Sequence, residues 1–377
     1  MSTFPSFARI PHRALTAATL AALASLLASC GPEPGSQGPA AATVLLAAAP
    51  ARLADTGLYA DFASRRLAPD VLAFAPQYPL WTDGAAKRRW IALPRGAAID
   101  ASELDSWRFP IGTRFWKEFA FGRAVETRFM LKLADGSWLY ATYAWTADGS
   151  DAVLAPEHGV RGACETTDGQ RHDIPGVLDC RLCHEGNRTP VLGFGALQLS
   201  PDRDPLAPHA APPDANAVDL RTLAARGLVR NLPAEVLANP PRIDARTPVE
   251  RAALGYLHGN CSACHNAAGP LQRLGLRFDY PLQAHGPAPG ITSTLAVPSS
   301  FTRWPASLRI APGDPEHSVV VQRLSATDAL TQMPPFGRHL VDRDAKALVE
   351  QWIRDDLGQN PSRTTDQPTP QRKEKGT

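Results

Sequence analysis

The pattern Cys-x-x-Cys-His occurs twice in this chain, as Cys180-Arg181-Leu182-Cys183-His184 and as Cys261-Ser262-Ala263-Cys264-His265. Each copy dictates its own local structure. Two thiols one helical turn apart can add to the two vinyl groups on one edge of a porphyrin, and the adjacent histidine then reaches the iron beneath the same ring. The pattern therefore reads as two attachment sites for covalently bound haem c, with Cys180, Cys183 and His184 at the first and Cys261, Cys264 and His265 at the second. Two other chemistries use such cysteines. A zinc site uses paired CxxC knuckles, but these pairs stand much farther apart than the usual spacing of about 15–20 residues. A redox dithiol needs no histidine after each pair and sits in a βαβ context that is not visible here.

The amino-terminus sets the compartment. Arg9, His12 and Arg13 precede the apolar run ALTAATLAALASLLAS and then Cys30. This is the layout of a signal peptide over residues 1–29. Leu27-Ala28-Ser29-Cys30 resembles a bacterial lipobox, which implies cleavage before Cys30 and its lipidation. The resulting expectation is a periplasm-facing lipoprotein, with outer-membrane sorting suggested by Gly31, held through a lipid anchor. Residues 1–29 carry two arginines and no acid, so their removal leaves 37 basic and 37 acidic residues. No basic excess remains to favour nucleic acid. Of six cysteines, lipid takes one and two haems take four, which leaves Cys164 as an inert buried thiol or a reactive one.

Patterning along the chain divides it further. Residues 30–52, rich in Pro, Gly and Ala, read as a tether. Residues 53–162 read as a β-rich domain, with Asp135-Gly136 marking a hairpin between two alternating runs, and with strands near 89–92 and 114–121. Six of the eight tryptophans fall there, as core packing or as the lining of a binding face. Residues 163–235 form an irregular, proline-rich first haem segment with a short helix at 218–228, and 236–246 a linker. In 247–358, Thr247-Pro248-Val249-Glu250 is a helix-capping signature and Asp342 caps a last helix. A further helix starts at Asp314-Pro315-Glu316. The polar tail 359–377 has the composition of a segment without a packed core.

The axial ligands differ between the two sites. Once Met1 leaves with the signal peptide, only Met130 and Met333 remain. Met333, in Gln332-Met333-Pro334-Pro335, follows the second motif as a distal ligand for its iron. A thioether opposite histidine stabilises reduced iron. At the first site His172 is the leading distal candidate, followed by His209, His158 and Met130, and an open sixth position is an equal alternative.

Residues 248–357, with CSACHN, RIAPGDPEHSVVVQRL, QMPPFG and ALVEQWI, resemble a class I cytochrome c. That resemblance implies an all-α domain whose first and last helices pack together, with His265 proximal and Met333 distal. The chain more widely, through YPLWTDGAAKRRW, HDIPGVLDCRLCH and TPVLGFGALQLS, resembles a group of bacterial dihaem c-type cytochrome lipoproteins. The expected fold class is thus α+β: a β-rich amino-terminal domain, an irregular first haem segment and a carboxy-terminal all-α cytochrome domain. The expected function is one-electron transfer between periplasmic redox partners, without a catalytic residue. The enzymatic alternative is a peroxidase- or oxygenase-like oxidoreductase with an open first haem. A third reading makes the Trp-rich β domain a ligand-binding module.

Overall fold

Strand-forming runs between residues 59 and 174 build three antiparallel arrays. In this computed structural model, which describes residues 48–358 except 167, 215 and 285, β1 (Tyr59–Asp61) and β2 (Arg66–Leu67) form a small ribbon. The main sheet follows with β3 (Val71–Ala73) and β4 (Ala86–Ala92). The short β5 (Ile99–Asp100) leaves the sheet and later pairs in parallel with β12 (Val229–Arg230). β6 (Arg114–Phe121), β7 (Arg123–Lys132), β8 (Trp138–Trp145) and β9 (Ala152–Leu154) complete an antiparallel sheet of order β3-β4-β6-β7-β8-β9. A hairpin of β10 (Val160–Glu165) and β11 (Arg171–Ile174) comes next. Residues 1–29, read above as a signal peptide, Cys30, residues 31–47 of the expected tether and the tail 359–377 lie outside the described residues.

Both faces of the main sheet are covered, which is why apolar residues occupy successive positions rather than alternate ones. Trp90, Trp116, Phe129, Tyr143 and Trp145 pack on one face with Leu53 and Leu58. Ile91, Phe115, Met130, Trp138 and Tyr140 pack on the other with Cys180, Phe194, Leu199 and Leu220. Trp90, Trp107, Trp116, Trp138 and Trp145 are all buried, so these tryptophans serve the core. Turn chemistry sets the β7–β8 register: Leu133 N–H donates to Ser137 O (2.9 Å), and Gly136 takes φ +85°.

The helices are few and short. They are α1 (Val177–His184), α2 (Leu220–Ala225), α3 (Ala234–Ala238), α4 (Pro248–Cys261), α5 (Pro289–Thr292), α6 (Val319–Ser325) and α7 (Arg343–Gln351), the last continuing as a π-turn over Trp352–Asp356. Caps explain their starts. Thr247 Oγ1 accepts from Glu250 N–H (3.0 Å) at α4, and Asp342 Oδ1 from Ala345 N–H (3.1 Å) at α7. The helix expected from Asp314 begins instead at Val319, after a turn in which Ser318 N–H donates to Pro315 O.

The expected carboxy-terminal all-α cytochrome domain is not what forms. Between α4 and α6 the chain is mostly irregular, with isolated β-bridges Leu295–Ile310, Pro298–Leu308 and Leu308–Ser318. Prolines at 281, 287, 289, 298, 305, 312 and 315 remove backbone donors at intervals too short for long helices. Nor do these helices close a core of their own. Their cluster of Leu254, Leu257, Val349, Trp352 and Ile353 takes in Tyr78 and Leu197 from earlier segments. A Cβ at Gly255 would overlap the Tyr78 ring, so only glycine lets α4 approach that closely. No helix among the described residues is long and apolar enough to cross a membrane.

Candidate functional site

The first motif lies on α1, directly after the β10–β11 hairpin, where Gly176 N–H donates to Asp179 Oδ2 (3.0 Å) and starts the helix. α1 packs on β8. That contact puts Cys180 into the core below the sheet and sets the His184 ring 5.5 Å from the Tyr140 ring. The second motif occupies the end of α4 and the turn beyond it, where Cys264 and His265 N–H both donate to Cys261 O (3.2 and 3.0 Å). His265 lies edge-on to Phe278 at 5.8 Å.

The two motifs, distant in sequence, touch. Asn266 Nδ2 donates to Gly186 O (3.0 Å), just past the first motif, and to Ser262 O (2.8 Å) and Ala263 O (3.3 Å) inside the second. A Cβ at Gly186 would stand 2.7 Å from Ala263 O, and one at Gly269 would stand 2.9 Å from Gly186 O. Backbone therefore meets backbone here, with no room for a side chain.

A cavity of about 710 Å³ opens beside both motifs. Cys180, Cys183, His184, Cys261, Cys264, His265 and Met333 all line it. The size is within the range of about 300–1,000 Å³ found for cofactor and small-molecule sites. Its donor set fits two haems and fits the rival chemistries poorly. His184 Nδ1 lies 2.6 Å from Pro190 O, and because a carbonyl only accepts, that nitrogen carries the proton and leaves Nε2 its lone pair. Metal-ligating histidines are commonly oriented in this way. His265 Nδ1 is buried with no partner among the described residues. Burial pushes both imidazoles down to about 4, so both are neutral at pH 7, as ligation requires.

Cys164, Cys180, Cys183, Cys261 and Cys264 are all free thiols. Burial raises the four motif thiols, Cys183 to about 11 and Cys261 to about 12, whereas zinc ligands and reactive dithiols need a stabilised thiolate. Among the described residues no three His, Cys, Asp or Glu side chains are grouped to hold a metal ion.

Met333 shares this cavity with His265, on a loop organised by the buried Arg338. That guanidinium donates through Nη2 to Met333 O (3.1 Å), Ala326 O (2.9 Å) and Arg323 O (3.2 Å), and through Nη1 to Leu340 O (2.7 Å). His339 and Leu340 N–H both donate to Asp83 Oδ1 (2.6 and 2.9 Å), which ties the methionine loop to the β region.

The distal candidates for the first site separate clearly. His172 borders the cavity but is buried between two carboxylates, Glu126 Oε1 at 3.1 Å from Nε2 and Asp83 Oδ2 at 3.7 Å from Nδ1. His209 lies outside the cavity and pairs with Asp342 (2.8 Å), while His158 is exposed. Met130 lines the cavity on β7, opposite Tyr140, and shares a core cluster with Cys180.

Asn266, Arg338 and Asp83 were not singled out from sequence. The position of Asn266 immediately after CSACH is the one local signal among them. Comparison with known protein families, with curated proteins and with solved structures finds none that matches this chain.

Proposed function

We propose that this protein is a dihaem c-type electron carrier, with one haem on Cys180, Cys183 and His184 and another on Cys261, Cys264, His265 and Met333. The observation that carries the reading is the meeting of both CxxCH segments beside one cavity, with Gly186 against Ala263. Bound haem supplies one-electron iron chemistry that no amino acid provides. The chain's own residues then do four things. The four cysteines would hold two haems through thioether bonds, and Pro190 O, accepting from His184 Nδ1, leaves His184 Nε2 free to ligate an iron. Arg338 holds the loop that presents Met333. The buried aromatic side chains Phe115, Tyr140 and Phe278 line the cavity and would keep water from the rings. The lipobox at Cys30 supports export and lipid anchoring toward periplasmic redox partners.

The test is electron exchange by protein matured in a host with c-type haem assembly. Reduction by a soluble one-electron donor, followed by full reoxidation by a one-electron acceptor, is expected. Sustained peroxide-dependent oxidation of a reduced donor, abolished by Cys180→Ala, would instead make the protein an enzyme.

A further inference from the structure

The main sheet carries a row of cations. Its register sets Arg89 of β4 opposite Lys117 of β6, and Lys117 opposite Arg128 of β7, with Thr142 of β8 ending the row. Residues directly opposite share a face with Cβ atoms about 5 Å apart, and like charges there repel. All three cations line the cavity.

Their neutralisation is incomplete. Arg128 binds Glu126 through Nε (3.1 Å) and Nη2 (2.7 Å), and His172 shares that carboxylate. Arg89 and Lys117 have no hydrogen bond or ion pair through their side chains among the described residues. The opposite face of the same strands is built differently: Arg88 pairs with Glu118 directly across from it at 2.6 Å. So the pair on the opposite face is matched, and the inward row has one carboxylate, Glu126, for three cations. Burial pushes Arg89 down to about 10, and burial with the neighbouring cations pushes Lys117 well below its ordinary value.

The row belongs to the first motif. α1 packs on β8, next to β7. Tyr140 of β8, whose ring lies 5.5 Å from the His184 ring, stands opposite Met130 of β7, which shares a core cluster with Cys180 and lies two residues from Arg128 on the same face.

We propose that Arg89, Lys117 and Arg128 form a carboxylate seat in the cavity wall, holding the propionate edge of the haem on Cys180 and Cys183. This rests on the dihaem reading. Guanidinium groups suit the task because their fork matches a carboxylate in two parallel hydrogen bonds. Cations beside the ring also favour the reduced iron, which carries one electron more.

Optical redox titration of the holoprotein tests this with Arg89→Gln and Lys117→Gln. One haem of the two is expected to shift to lower potential in each variant, while the other keeps its midpoint. Arg89→Lys and Lys117→Arg, which preserve charge, are expected to restore the wild-type value. Two haems per chain with no shift in either neutral variant would overturn the seat. A wild-type midpoint that follows added sodium acetate at constant ionic strength, and no longer does so in the variants, would put a free carboxylate in the seat and overturn its assignment to haem. Infrared difference spectra of wild-type reduction need no variant to fold, and absence of carboxylate bands would also overturn the proposal. Fewer than two haems per wild-type chain would fail the dihaem reading instead, and haem content measured beforehand keeps the two failures apart.

Discussion

Replacing Gly186 by alanine adds one methyl group to the contact between the two CxxCH segments. Its Cβ would stand 2.7 Å from Ala263 O, 3.3 Å from Pro270 Cδ and 3.4 Å from Leu182 O. The nearest atom is backbone within the second motif, so it cannot rotate away. In open space with an ordinary backbone conformation, Gly→Ala stabilises by roughly 0.4–1 kcal/mol through the unfolded chain. Overpacking of a tight contact costs about 1–3 kcal/mol. The sign of the effect therefore reports whether the motifs touch. Gly195, also outside the left-handed region and with nothing within 4 Å of its Cβ, is the internal control. Urea denaturation should show Gly186→Ala less stable than wild type by about 1–3 kcal/mol, and Gly195→Ala unchanged or slightly more stable. Equal or increased stability in Gly186→Ala would refute the back-to-back packing of the motifs.

Two further outcomes follow from the same geometry. Arg338→Ala leaves five carbonyls without their common donor. It should lower stability by about 3 kcal/mol in denaturation and abolish the spectroscopic signature of methionine ligation at one haem only. Glu126 is fully buried; burial raises its pKa, but Arg128 and His172 outweigh that and hold it at about 2, below its ordinary 4.5. A depressed carboxylate contributes stability that is present above the unfolded value and is lost as pH falls from about 4.5 to 2. Glu126→Gln should therefore cost about 3–5 kcal/mol at neutral pH and flatten the acid limb of a stability-against-pH profile.

Legibility in the sequence followed the range of the interaction. The Asp135-Gly136 hairpin, the Thr247 cap and the Asp342 cap were readable because a few adjacent residues decide each of them. The all-α expectation failed in the interval between α4 and α6. There the resemblance to a class I cytochrome c implied helices, whereas the proline-punctuated stretch folds mostly as loops and bridges. Both CxxCH motifs stand out in the sequence, but their contact does not, because it rests on Gly186 and Asn266 meeting across long separation. The sequence offers His172 as one distal candidate among several for the first site. Only the fold reveals the carboxylates of Glu126 and Asp83 on either side of it. Cross-strand register, invisible to single-strand patterning, is likewise what aligns Arg89, Lys117 and Arg128.

The most direct test of the central claim is the haem-to-protein ratio of the matured chain, measured by pyridine haemochrome against protein concentration. Two haems per chain are expected in the wild type, and one in each of the paired variants Cys180→Ala/Cys183→Ala and Cys261→Ala/Cys264→Ala. A wild-type ratio of one, or a ratio unchanged by either pair, would contradict the account.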